Sequence, residues 1–99
     1  PNMLLSLHPE YVMYHTISPN GVDQCTVTCS WLFPEKIANS KNYNTHDAIE
    51  FWNMTNKQDW YISELSQLGI QSKKYSPAPY SGQESLLAEF DRYYLENLG

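Results

Sequence analysis

Phe51-Trp-Asn-Met-Thr-Asn-Lys-Gln-Asp-Trp-Tyr-Ile-Ser-Glu-Leu-Ser-Gln-Leu-Gly-Ile70 reads as most of one long amphipathic helix with an acid, Asp59, at its middle. Ile49, Trp52, Trp60, Ile62 and Leu65 make its apolar stripe, and the stripe is broken. Asp59 lies between Trp52, Trp60 and Ile62, where a helix that only packs against a core would carry an apolar side chain. Asn44 or Thr45 can cap the first free amides, and Asp47 complements the positive end of the helix dipole. Gly69 supplies the stop.

Upstream, the period changes to two. Gln24 to Phe33 alternates cleanly: Cys25, Val27, Cys29, Trp31 and Phe33 face one way, and Thr26, Thr28 and Ser30 the other. Asn2 to Leu7 and Tyr11 to Ile17 are two further strands, broken at His8-Pro9-Glu10 because proline presets a turn and cannot donate to a ladder. Pro19-Asn-Gly-Val-Asp23 is the second turn, its Asn-Gly pair offering a positive φ. The antiparallel sheet so formed has one buried and one wetter face. Pro34 to Thr45 is a polar surface connection with room for one helical turn at Glu35 to Asn39.

Downstream, Ser76-Pro-Ala-Pro79 is an extended bridge. Ser81-Gly-Gln-Glu84 has the form of a capping box, with the serine capping and the glutamate reaching back. Leu87, Phe90, Tyr94 and Leu98 recur at helical spacing and predict a last helix that docks by one face. The order β-β-β-α-α defines an α+β chain.

Ninety-nine residues make one domain at most, and a small one. Eight tyrosines, three tryptophans and three phenylalanines supply bulk for a core despite that length. Pro1 followed by an apolar run suggests a chain that opens inside a strand, as a fragment does. A net charge of −5 with six basic residues argues against a nucleic-acid partner, which needs clustered Lys and Arg. No apolar run is long enough to span a membrane, and no basic leader precedes Leu4-Leu5. Cys25 and Cys29, four residues apart on one strand, stand ~13 Å apart at ~3.3 Å per residue, too far for a disulfide. They read as small buried apolar side chains, and reduced cysteines agree with a cytoplasmic location.

Several pieces combine into a family pattern: Gln58-Asp59-Trp60 on the long helix, Glu64, Gln67-Leu-Gly69, the Tyr75-Ser-Pro-Ala-Pro-Tyr-Ser81 turn, Glu84, and Phe90-Asp-Arg-Tyr-Tyr94. With the opening Pro1 to Met13 strand pair, the chain resembles the C-terminal part of the catalytic domain of Rieske-type non-haem iron oxygenase alpha subunits, the ring-hydroxylating family. The resemblance implies a partial helix-grip (Bet v 1-like) fold: a sheet of about three strands, the long helix, then a C-terminal helix. Residues 1–99 would be one partial domain, with the Rieske domain and the upstream histidine ligands lying elsewhere.

By the same resemblance, Asp59 is the carboxylate ligand of the mononuclear iron. Such sites hold Fe(II) with two histidines and one carboxylate on one face, leaving the other positions for dioxygen and substrate. Thr55 and Asn56, a turn before Asp59, are placed to hold or shield it. A solvated acid on an outer helix face is the plain alternative. The available histidines are His8, His15 and His46, and none forms the family's paired segment. His46 is ~20 Å from Asp59 along the helix axis, so no histidine is assigned to iron. The ligands of a Rieske [2Fe–2S] cluster are not in this sequence either. Glu64, about 140° round the helix from Asp59, cannot pair with it and is a candidate for solvent or a neighbouring subunit. Tyr14, Trp31 and Phe33 are candidates to line a substrate pocket, although core packing explains them equally.

The family hydroxylates organic substrates with O2, drawing electrons from NAD(P)H through a reductase or ferredoxin and the Rieske cluster. The Gln-Asp-Trp helix and Pro-Tyr-Ser turn look most like the branch acting on small quaternary ammonium compounds, with aromatic substrates open. Expected partners are the rest of the alpha subunit, the electron donor, the substrate and further copies in a homo-oligomer. The 99 residues alone are expected to be inactive. The rival readings are a small-ligand-binding module and a remnant that self-associates through its sheet edge.

Overall fold

The computed structural model describes residues 2–99, so the expectation placed on Pro1 lies outside the described residues. The elements are β1 (Met3–Leu7), β2 (Val12–Pro19), β3 (Cys25–Leu32), α1 (Glu35–Ala38), α2 (Thr45–Ile70) and α3 (Ser85–Glu96). The strands form an antiparallel meander in the order β1-β2-β3. This is the α+β order that the sequence predicts.

Both turns form where the backbone chemistry requires them. After β1 the His8 amide donates to the Tyr11 carbonyl at 3.0 Å, closing the chain around Pro9. Between β2 and β3, Gly21 takes φ 95°, and the Asn20 amide donates to Gln24 O at 2.8 Å. That positive φ is one that only glycine adopts without strain.

The register fixes what faces the helix. Met13 lies between Ser6 and Trp31, and His15 between Leu4 and Cys29. Val27, Cys29, Trp31 and Phe33 are half-buried and Thr26 and Thr28 exposed, as the alternation predicts; Ser30 departs from it and is half-buried, and Cys25, at the open end of β3, is exposed. Both cysteines are free thiols. Tyr14 pairs with Leu5 and Ser30, one residue out of phase with Met13 and Trp31, so it points to the opposite face of the sheet. It does not share a pocket wall with Trp31 and Phe33.

Helix α2 starts as expected: the Asn44 side chain accepts from the His46 amide at 3.1 Å and donates to Asp47 at 2.7 Å. Its end differs. The helix continues through Gly69 to Ile70, with Gln71 right-handed at the cap. The Gln71 amide reaches Gln67 O and the Ser72 amide reaches Gly69 O, so the last turn closes without a left-handed glycine.

Two side-chain contacts set α2 across the sheet. Trp52 Nε1 donates to the Tyr11 hydroxyl at 2.6 Å, and one turn later Asn56 meets His15. Further on, Ser63 and Gln67 border Cys25 across a groove. The helix therefore runs in the direction of β2 and against β3. Its half-buried or buried residues include Ile49, Trp52, Thr55, Asn56, Trp60 and Gln67, whereas Ile62 and Leu65 are 58% and 46% exposed. The expected stripe is thus corrected. Ile62 lies ~80° and Leu65 ~140° round from Trp52, outside the arc that reaches the sheet.

Helix α3 presents its apolar side to solvent, with Leu87, Phe90, Tyr94 and Leu98 all exposed. The expected docking does not occur within the described residues, because the prolines of the bridge carry α3 away from the sheet. The capping box forms by half: Glu84 accepts from the Ser81 amide at 2.7 Å, but the serine caps nothing. Among the described residues only Tyr11 and Met13 are buried apolar residues. The Cα radius of gyration is 17.3 Å, against about 13 Å for a closed domain of this length. The described residues build one wall of a core and leave the other side open.

Candidate functional site

Asp59 stands in the middle of α2 and is exposed. On the helix it falls ~20° from Trp52 and ~60° from Asn56, inside the arc between Thr55 and Asn56 that turns toward the sheet. The acid therefore sits on the packing side of the helix and stays open to solvent. Ser63 Oγ donates to its main-chain carbonyl at 2.9 Å, while the carboxylate has no hydrogen-bond or ion-pair partner among the described residues. An acid in that setting is free to bind a cation brought from outside the helix.

The neighbours expected to hold it do something else. Thr55 Oγ1 donates to the Phe51 carbonyl at 3.1 Å. Asn56 is buried, and its Oδ1 lies 3.0 Å from His15 Nε2. With the amide so oriented, His15 carries a proton on Nε2 and donates it. The Asn56 Nδ2 is also buried, and among the described residues the Cys29 thiol is what it has to bond to. Its neighbour across the gap is Cys29: burial pushes that thiol up, and the Asn56 amide offsets part of the rise. Cys29 therefore stays a neutral thiol at physiological pH, a packing group with weak polarity.

The other histidines are apart from Asp59. His8 stacks on Tyr11 with ring centroids 4.4 Å apart and meets the Trp52 edge at 5.5 Å. His46 pairs with Glu50 at 3.6 Å, both exposed. Among the described residues no three His, Cys, Asp or Glu side chains converge as a metal site. These residues do not by themselves fit an iron centre; they offer Asp59 as one oxygen donor.

Two open grooves flank the sheet–helix contact. One, of about 460 Å³, is bordered by His8, Glu10, Tyr11, Phe33 and Pro34. The other, of about 700 Å³, lies between the β2–β3 turn and the end of α2, with Asp23, Ser63, Glu64 and Gln67 on its walls. Glu64 lies there, away from Asp59, as its angle on the helix requires. Trp31 Nε1 is buried without a hydrogen-bond partner among the described residues. Sequence reasoning did not find the Tyr11–Trp52 and His15–Asn56 contacts. Each joins residues 41 apart, beyond the reach of any local pattern.

The family described as "Ring hydroxylating alpha subunit (catalytic domain)" matches residues 1–99. The chain belongs to this family of Rieske-type hydroxylating oxygenase alpha subunits. It is 30% identical over 95 residues to the glycine betaine monooxygenase oxygenase subunit of Pseudomonas aeruginosa, in both strain UCBPP-PA14 and strain PAO1. That match covers 91% of this chain and 22% of the relative. The glycine betaine monooxygenase oxygenase subunit of Chromohalobacter salexigens is 30% identical over 81 residues, covering 82% of this chain and 18% of the relative. The chain thus spans about a fifth of the length of the curated relatives it matches. No solved structure matches it.

Proposed function

We propose that these residues are the C-terminal part of the catalytic domain of an oxygenase that hydroxylates a small quaternary ammonium compound with O2. The substrate class is supported by the relatives, two of them at 30% identity over 91% of this chain and both named for glycine betaine. Asp59 is the anionic ligand of the mononuclear iron, which supplies O2 activation when bound. The observation that carries this reading is a carboxylate on the sheet-facing arc of a long helix, exposed and without a partner among the described residues. Two histidines and the Rieske [2Fe–2S] cluster come from other parts of the alpha subunit. Electrons come from NAD(P)H through a reductase or ferredoxin, and the working protein is a cytoplasmic homo-oligomer. No helix of the described residues is long and apolar enough to cross a membrane.

The second reading, a self-associating remnant of the same fold, draws on the exposed Leu4, Leu5 and Leu7 of an edge strand. Turnover separates the two. The full-length protein with its electron donor is expected to consume O2 and release formaldehyde from glycine betaine, since hydroxylating an N-methyl carbon gives an unstable carbinolamine. O2 uptake coupled only to an aromatic acid would move the substrate assignment. No coupled uptake with any organic substrate would favour the remnant.

A further inference from the structure

The rings around the β1–β2 turn form a continuous row. His8 stacks on Tyr11 with centroids 4.4 Å apart, Tyr11 lies 5.3 Å from Phe33, and Phe33 lies 6.3 Å from Tyr43. Trp52 fixes the row from α2, its Nε1 donating to the Tyr11 hydroxyl at 2.6 Å. His8, Tyr11 and Phe33 also border the open groove of about 460 Å³, with Pro9 and Pro34 beside them. Small-molecule sites occupy about 300–1,000 Å³, so the groove is of a suitable size. Its walls are held by ring packing and by two prolines, and little order has to be imposed when something binds.

One acid interrupts this apolar lining. Glu10 borders the groove, is half-buried, and has no hydrogen-bond or ion-pair partner among the described residues. No lysine or arginine borders the groove. The charge of Glu10 is felt by the row of rings: desolvation pushes the Tyr43 hydroxyl up, and Glu10 adds to the rise. A partly desolvated anion without a partner costs stability, and a bound cation offsets that cost.

We infer that this groove binds a compact methylated ammonium ion, with Glu10 as counter-charge and Phe33, backed by Tyr11, as the aromatic wall. The degree of methylation follows from the polar groups on offer. A primary ammonium needs three acceptors to replace its water, and the side chains of the groove give it one carboxylate, the Tyr11 hydroxyl being engaged by Trp52. A quaternary ammonium has no N–H to satisfy, buries its methyl groups against apolar walls, and is drawn to the negative faces of the rings. The inference does not rest on Asp59 or on any metal. Trp52, level with Tyr11, precedes Asp59 on α2 by ~10 Å along the helix axis.

The test is titration calorimetry of the full-length protein, without electron donor, against choline and its uncharged isostere 3,3-dimethylbutanol. The two share shape and differ in charge, so choline should bind about tenfold more tightly than the alcohol. Glu10→Gln should weaken choline about fivefold and leave the alcohol within about twofold, because it keeps shape and removes charge. Phe33→Leu keeps an apolar wall and removes the ring, so the preference for choline should fall about threefold or more. Glu10 lies at a turn, and Glu10→Gln decides the matter if Phe33→Leu fails to fold. Equal affinity for the two compounds overturns the proposal, since the groove would then be apolar and nothing more. Absence of choline binding, or a choline isotherm unchanged by Glu10→Gln, overturns it as well. Asp59→Ala should leave choline affinity unchanged; a loss there with none in Glu10→Gln would put the cation beside Asp59 and overturn the assignment to this groove.

Discussion

At Asn44 one side chain does two jobs, accepting from the His46 amide and donating to the Asp47 carboxylate, so the start of α2 is set by the Asn44 and Asp47 side chains. Asn44→Ala in the full-length protein should cost about 1 kcal/mol, read as a lower melting temperature with the fold unchanged. No loss at all would mean that the helix start is held by packing alone. Asn44 was legible because capping is local and its chemistry is carried by residue type. Asp59 was singled out by the family pattern rather than by local chemistry, since a solvated acid on a helix explains its exposure equally. Asn56 was not legible. Its partner His15 is 41 residues away, and a polar residue beside tryptophans reads equally as a solvated position.

Element types followed from period and punctuation, and the three strands, the helical turn of α1 and both long helices appear where those signals place them. Faces were harder. In β3 the strict period of two assigned the buried side from Val27 to Phe33. In α2 the stripe mixed residues on the sheet-facing arc with Ile62 and Leu65, which lie outside it, because apolar residues occur nearly all round this helix. Such a helix is one that other elements cover on more than one side. Helix α3 differs, with one apolar side that stays exposed within the described residues. Its start is electrostatic: the Ser81 amide, donating to Glu84, holds that carboxyl below the usual carboxylate range. A depressed acid stabilises the folded form above its unfolded value and ceases to do so as pH falls through the lowered one. The α3 start should therefore fray on acidification in that window, followed by amide exchange at Ser81 to Leu87. Glu84→Gln should remove that pH step, and an unchanged step would assign it to another group.

A radius of gyration of 17.3 Å with two buried apolar residues among the described residues describes a wall rather than a closed domain. The 99 residues alone should therefore associate, through the free edge of β1 and the uncovered side of α3. Sedimentation is expected to show dimers or larger species at tens of micromolar, and a clean monomer there would contradict this. They should also bind ferrous iron weakly, since a single carboxylate leaves the metal held mainly by water. The curated relatives are longer, and this chain matches about a fifth of their length. The central claim, that α2 carries the anionic ligand of an oxygenase iron, meets its most direct test in the intact protein. The measurement is mononuclear iron per protomer in Asp59→Ala, with the Rieske absorbance as an internal count and Asp47→Ala as control. The account predicts that Asp59→Ala loses the mononuclear iron and hydroxylation while the Rieske cluster stays and Asp47→Ala keeps both. Full iron occupancy and turnover in Asp59→Ala would contradict it and return Asp59 to a solvated acid on a helix.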